Sequence, residues 1–170
     1  IYDVVELAVP EAWFVNTSRI SANGTVVGDS EDANLDSTAF LWRDGAFTSL
    51  PIPDGWTIST ATDVSDLDQV VGSLYRHDYM RSTAFLWVSN DMSVLPALVE
   101  HGSCPAQGMN NNGMIVGSSE SEGSIVAVSW QDGVPSTIPG SDAYFYSVAY
   151  DVNNSGQICG EAITPEYQAV

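Results

Sequence analysis

Ile20-Ser-Ala-Asn-Gly-Thr-Val-Val-Gly28 reads as the end of one β-strand, a tight turn and the start of a second strand. Asn and Gly tolerate left-handed backbone or bond to it locally, so they suit the turn. The Val-Val pair is β-branched and apolar, which suits a half-buried pleated strand. The closing glycine, inside a strand, marks a bulge or a close backbone approach.

The same nine-residue pattern returns three times. It appears as Val64-Ser-Asp-Leu-Asp-Gln-Val-Val-Gly72, Met109-Asn-Asn-Asn-Gly-Met-Ile-Val-Gly117 and Val152-Asn-Asn-Ser-Gly-Gln-Ile-Cys-Gly160. The closing glycines are spaced 44, 45 and 43 residues apart. A regular period of this size is the mark of a propeller or an array of β units.

A second landmark follows each of the first three: Ala39-Phe40-Leu41-Trp42, Ala84-Phe85-Leu86-Trp87 and Ala127-Val128-Ser129-Trp130. This is the third strand of the unit. Recurrence of Trp42, Trp87 and Trp130 at one repeat position argues for packing between units. Turns are expected just after each, at Asp44-Gly45, Asn90-Asp91 and Asp132-Gly133. Asp-Gly is a strong hairpin signal and leads to a fourth strand. That strand ends at Leu50-Pro51, Leu95-Pro96 and Ile138-Pro139, where a ladder donor is no longer needed.

The expected fold is therefore all-β: four antiparallel four-stranded repeats, β-propeller-like. The units fall at about 11–52, 53–97 and 98–140, with a composite fourth unit from 141–170 plus 1–10. Leu7-Ala-Val-Pro10-Glu-Ala-Trp13 matches Leu50-Pro-Ile-Pro53-Asp-Gly-Trp56, so residues 1–10 are expected to supply the fourth strand of the last blade. Residues 145–170 would supply its first two strands and the start of the third. Closing a ring this way would protect sheet edges. Ile1-Tyr2-Asp3-Val4-Val5 reads as strand and, in an exported protein, as a processed N-terminus.

The pattern apolar-Asn-x-x-Gly-x-Val-Val-Gly, then Ala-Phe-Leu-Trp, a turn and Leu, resembles the HAF repeat of bacterial extracellular proteins. The resemblance spans nearly the whole chain and is sharpest in Ile20–Gly28, Ala39–Trp42, Ala84–Trp87 and Val152–Gly160. The histidine that names the repeat is replaced by Thr38, Thr83 and Val126. The resemblance implies export to the extracellular space or cell surface and a repeated β architecture. It implies no activity.

Charge narrows the partners. The 170 residues carry 22 acids against four arginines and no lysine, a net charge of −18. Phosphate contacts need Lys and Arg, so nucleic acid is an unsuitable partner, as is an anionic membrane surface. No apolar run is long enough for a transmembrane helix, so no membrane insertion is expected. Acidity favours cations, and calcium is the one cofactor candidate. Asp63, Asp66 and Asp68 form the most acidic turn and are the candidate ligands. The related Asp151-Val-Asn-Asn-Ser-Gly156 lacks the bidentate acid a full calcium loop needs, because Ala162 holds the twelfth position.

No catalytic motif is present. Acid clusters at Glu31, Asp32 and Asp36, and at Glu120 and Glu122, fall in the connections between second and third strands. Tyr75, Arg76, His77 and Tyr79 form a polar-aromatic loop suited to stacking and hydrogen bonding with a sugar or peptide. Cys104 and Cys159 would be able to form a disulfide in an exported protein. The leading functional expectation is a secreted, non-enzymatic β-repeat module that binds a protein or carbohydrate, or self-associates through its terminal strands. The alternatives are an extracellular polysaccharide-acting enzyme with carboxylates on one face, and a calcium-stabilised structural protein.

Overall fold

The computed structural model describes residues 4–10, 12–76 and 81–164. Among them the chain is all-β, apart from one turn of 3-10 helix at Ser141–Ala143. The first unit is a four-stranded antiparallel sheet of β1 (Phe14–Ile20), β2 (Val26–Glu31), β3 (Ser37–Arg43) and β4 (Ala46–Ser49), in that order. The second repeats it with β5 (Ile58–Val64), β6 (Val70–Tyr75), β7 (Ser82–Val88) and β8 (Asp91–Val94). The third has β9 (Ala106–Met109), β10 (Ile115–Ser121), β11 (Ser124–Gln131) and β12 (Val134–Thr137). The hairpin of β13 (Tyr146–Val152) and β14 (Ile158–Ile163) joins this last sheet through one parallel bridge, Ile125 to Tyr146.

Two expectations need correction. Residues 4–10 form no strand, so the last unit is not completed from the N-terminus within the described residues. A fourth strand needs a third to pair with, and the third-strand positions of that unit lie outside the described residues. The second hairpin turn is centred on Ser89 and Asn90, one residue earlier than Asn90-Asp91. Both central residues have positive φ, at 52° and 69°, as do Asp44 and Gly45 at 49° and 84°. That is the two-residue turn whose twist matches the flanking strands, and Asp91 opens β8.

Each recurrent glycine faces a bulge on the first strand of its unit. The pairing shifts between Thr17 and Arg19, between Ala61 and Asp63, and between Ala149 and Asp151. A shift between Val116 and Gly117 marks the same bulge in the third unit. A Cβ on Gly28, Gly72, Gly117 or Gly160 would sit 1.9–2.2 Å from a carbonyl oxygen across the ladder. Only glycine lets the bulged backbone come that close.

The core lies between units. Val27, Ala39, Leu41 and Leu50 of the first pack against Val64, Leu74, Phe85 and Trp87 of the second. Val71, Ala84 and Leu95 of the second pack against Val126, Val128 and Trp130 of the third. Thus Phe85 and Trp87 look back toward the first unit while Ala84 looks forward, as strand alternation requires. Beneath this apolar layer, the Ala39 N–H donates to Ser59 Oγ at 2.8 Å, and the Ala127 N–H to Ser147 Oγ at 2.9 Å. Cys104 holds that position in the third unit and is wholly buried.

Candidate functional site

The inner ends of the four first strands meet around one charged group. Arg19, Asp63, Gly108 and Asp151 occupy the same repeat position, next to the strand-ending Ile20, Val64, Met109 and Val152. The Arg19 guanidinium bonds in two directions, with Nε 3.1 Å from Asp63 Oδ1 and Nη2 3.3 Å from Asp151 Oδ2. Asp63 also accepts the Val64 and Met109 N–H groups, both at 2.8 Å. Asp151 accepts the Val152 N–H at 2.8 Å. The fourth position is glycine because β13 crosses there: a Cβ on Gly108 would lie 2.8 Å from the Tyr150 carbonyl oxygen.

Arg19 thus links units that are far apart in sequence. Burial pushes the Asp63 carboxyl above its ordinary value, against the opposing pull of the two N–H groups and Arg19. The two acids flank a polar well of about 300 Å³ whose rim includes Asn110, Asn111 and Asn154.

The turns beyond these strand ends are chained. The Ala22 N–H donates to Asp66 Oδ1 at 2.8 Å, the Asp66 N–H to Asn111 Oδ1 at 2.8 Å, and the Asn111 N–H to Asn154 Oδ1 at 2.9 Å. These four residues share one repeat position, so each turn is held by the same side chain of the next. Within turns the preceding residue caps the backbone: Asn110 Oδ1 accepts the Asn112 and Met114 N–H groups, and Asn153 Oδ1 those of Ser155 and Gln157.

The Asp63 oxygens are occupied by three separate N–H donors, from Arg19, Val64 and Met109. Asp63, Asp66 and Asp68, the candidate calcium ligands, point to different partners. Asp66 accepts Ala22 N–H and Asn111 Nδ2, whereas Asp68 accepts Thr25 Oγ1 at 2.5 Å and pairs with Arg43. Among the described residues no group of three or more His, Cys, Asp or Glu side chains could hold a metal ion.

Of the polar-aromatic loop, Tyr75 ends β6 and pairs with Ile58 and Ser82. Arg76 is exposed at a separate cavity of about 370 Å³ shared with Arg81, Trp56 and His101. His77 and Tyr79 lie outside the described residues. Cys104 and Cys159 are both free thiols, the first buried and the second exposed on β14, so the pairing considered from sequence is not formed. They lie on separate units, with Cys104 hydrogen-bonded to Thr83 in the second.

Sequence reading missed Arg19. The signal was available: one alignment column holds Arg, Asp, Gly and Asp, an opposite-charge set with a gap where the backbone crowds.

The fourth unit differs from the others on its outer side. β2, β6 and β10 are largely buried, each sandwiched in its sheet between first and third strands. β14 is exposed except at half-buried Ile158, and among the described residues it pairs only with β13. Beside it a cavity of about 380 Å³ opens between Ala127, Ile138 and Pro139 of the third unit and Val148, Ile158 and Gly160 of the fourth.

No protein-family model, curated protein or solved structure matches the chain.

Proposed function

We propose that the chain is a non-enzymatic β-repeat module, its four units set like propeller blades around Arg19, which binds or self-assembles outside the cell. Support for the ring comes from the two-sided pairing of Arg19 and from the turn ladder, which passes through all four units. Support for an extracellular role comes from the HAF-repeat resemblance and the lysine-free acidic composition.

The observation that carries the binding reading is the outer edge of β14, which among the described residues has no partner strand. An edge strand with unpaired N–H and C=O groups is a template for pairing, which soluble proteins normally cover, shorten or charge. Here one position of a repeat that is buried three times is left exposed once. Strand addition gives affinity through main-chain hydrogen bonds and specificity through side-chain pockets.

Native-state hydrogen exchange on the isolated chain tests this. The amides of residues 158–163 should exchange far faster than those of 115–120. Equal protection in a chain that sediments as a monomer would sink the proposal, because β14 would then have no open edge to offer.

A further inference from the structure

Side chains seal the boundary between the second and third units. Thr62 Oγ1 donates to the Ala106 carbonyl at 3.2 Å, and the Ser82 and Ser103 hydroxyls bond to each other at 2.9 Å. Where the third unit meets the fourth, Gln107, Ile125 and Tyr146 stand in the repeat positions of Thr62, Ser82 and Ser103. These three make no such bond, and a cavity of about 280 Å³ opens between β13 and the third unit. Tyr146, Val148 and Tyr150 alternate along β13 and line one wall, as residues on one face of a strand do. Ser118 of β10 lines the third unit's wall. It is only 5% exposed, and its hydroxyl has no hydrogen-bond partner among the described residues. A buried hydroxyl without a partner is costly. Glu120 also lines the cavity and accepts the Ser103 N–H through Oε2 at 3.2 Å, so its other oxygen has no donor among the described residues. None of the described lining residues is basic.

We propose that this cavity binds one neutral sugar ring of a glycan, with the apolar face of the ring against the tyrosines and its hydroxyls bonded to Ser118, Gln107 and Glu120. A sugar hydroxyl both donates and accepts. The walls answer with a hydroxyl and an amide that do both, and a carboxylate that accepts. The C–H face of a sugar needs a flat apolar surface, which a tyrosine supplies while keeping its polar tip bonded. Tyr150 is 44% exposed, and its hydroxyl is tied to Glu161, so the ring is both accessible and held. The volume lies at the small end for ligand pockets, which suits a single ring. Glu120, Glu161 and a net charge of −18 repel uronate or sulfated sugars. The site lies between β13 and the third unit, apart from the outer edge of β14. It therefore goes beyond the strand-addition reading above and does not depend on how that edge is covered.

The test is a titration of the isotopically labelled full chain with glucose, galactose, mannose and N-acetylglucosamine, followed by amide chemical shifts, with glucuronate as the anionic control. At least one neutral sugar should saturate, with shifts concentrated at residues 103–107, 118–120 and 146–150. Ser118→Ala should weaken that binding about tenfold, because a ligand hydroxyl loses its partner. Gln107→Ala, at a half-buried position, supplies the same reading if Ser118→Ala disturbs the fold. Glucuronate should bind more weakly than the best neutral sugar. No saturation by any of these neutral sugars, shifts centred elsewhere, or glucuronate bound as tightly overturns the proposal. Parent affinity in both variants overturns it as well. Hydrogen exchange at residues 158–163 is a separate measurement, so the strand-addition reading stands or fails without reference to these outcomes.

Discussion

Trp87 and Trp130 occupy one repeat position, yet their indole nitrogens fare differently. Trp130 Nε1 has the Pro96 carbonyl, whereas Trp87 Nε1 is buried with no hydrogen-bond partner among the described residues. A buried donor without an acceptor costs about 1–3 kcal/mol, and replacing it by an apolar group recovers that cost. Trp130→Phe strands the Pro96 carbonyl as well as leaving a cavity. Trp87→Phe leaves a similar cavity but removes the orphan. Urea unfolding should find Trp130→Phe the more damaging by about 1–2 kcal/mol; equal losses would show that the indole N–H groups are equivalent. The tryptophan column and its packing role were legible because they recur. The difference in hydrogen bonding was not, because it depends on the carbonyl that the preceding unit presents.

Asp63 offers a second test at this scale. Burial raises its carboxyl above the ordinary 3.8, so the folded chain holds the proton more tightly than the unfolded chain. Its contribution is therefore most favourable below that value and is lost as pH rises through the folded pKa. Asp29, buried beside Asn16 and Ser37, is shifted upward by the same cause and acts in the same direction. Asp63→Asn removes one of the two. Thermal melts from about pH 4 to pH 7 should then show less loss of stability on raising the pH in the variant than in the parent. Parallel curves would mean that Arg19 and the two N–H donors fully offset the burial.

Strands in this chain depend on their bulges. Gly72 was readable as a close approach because glycine sits inside an otherwise β-branched run. What the approach meets is visible only in three dimensions: a Cβ there would lie 2.0 Å from the Thr60 oxygen and 2.7 Å from the Phe85 ring. Neither backbone nor buried ring can yield, so Gly72→Ala should cost about 3 kcal/mol or more. Gly45 is a contrasting control: its φ is +84° but nothing lies within 4 Å of an added Cβ. Gly45→Ala then carries only left-handed backbone strain, about 1–2 kcal/mol. Chemical denaturation of both variants checks the ranking, and a Gly45→Ala loss equal to that of Gly72→Ala would refute the bulge account. The hairpin at Ser89-Asn90 shows the limit of local reading. Composition favoured Asn90-Asp91, but pairing of Val88 with Asp91 fixes which two residues turn. Strand register decided it, and register is a property of two strands rather than four residues.

At the scale of the molecule, Arg19 and Asp151 are 132 residues apart in sequence and 3.3 Å apart in space. The sequence displayed the period plainly but not the curvature that brings the first unit to the fourth. Curvature follows from how each sheet docks on the last, which small differences in core side chains set. The Arg19–Asp151 contact therefore reports on the meeting of the first and fourth units more directly than any motif. Both side chains are nearly half exposed, so solvent screens the pair and its worth is small, about 0.2–1 kcal/mol. A double-mutant cycle isolates it: Arg19→Met, Asp151→Asn and the double variant, each unfolded in urea, should give a coupling in that range. Added salt should shrink the coupling, since exposed charges are screened over about 10 Å at 0.1 M. Salt should also stabilise every variant, because a chain of net charge −18 repels itself and screening relieves the repulsion. The two effects have opposite signs on the measured quantities, so one salt series separates them. Zero coupling at low salt would mean that the Arg19–Asp151 pair adds nothing to stability in solution, and the proposed ring would lose this support while the pairwise docking of neighbouring units remained.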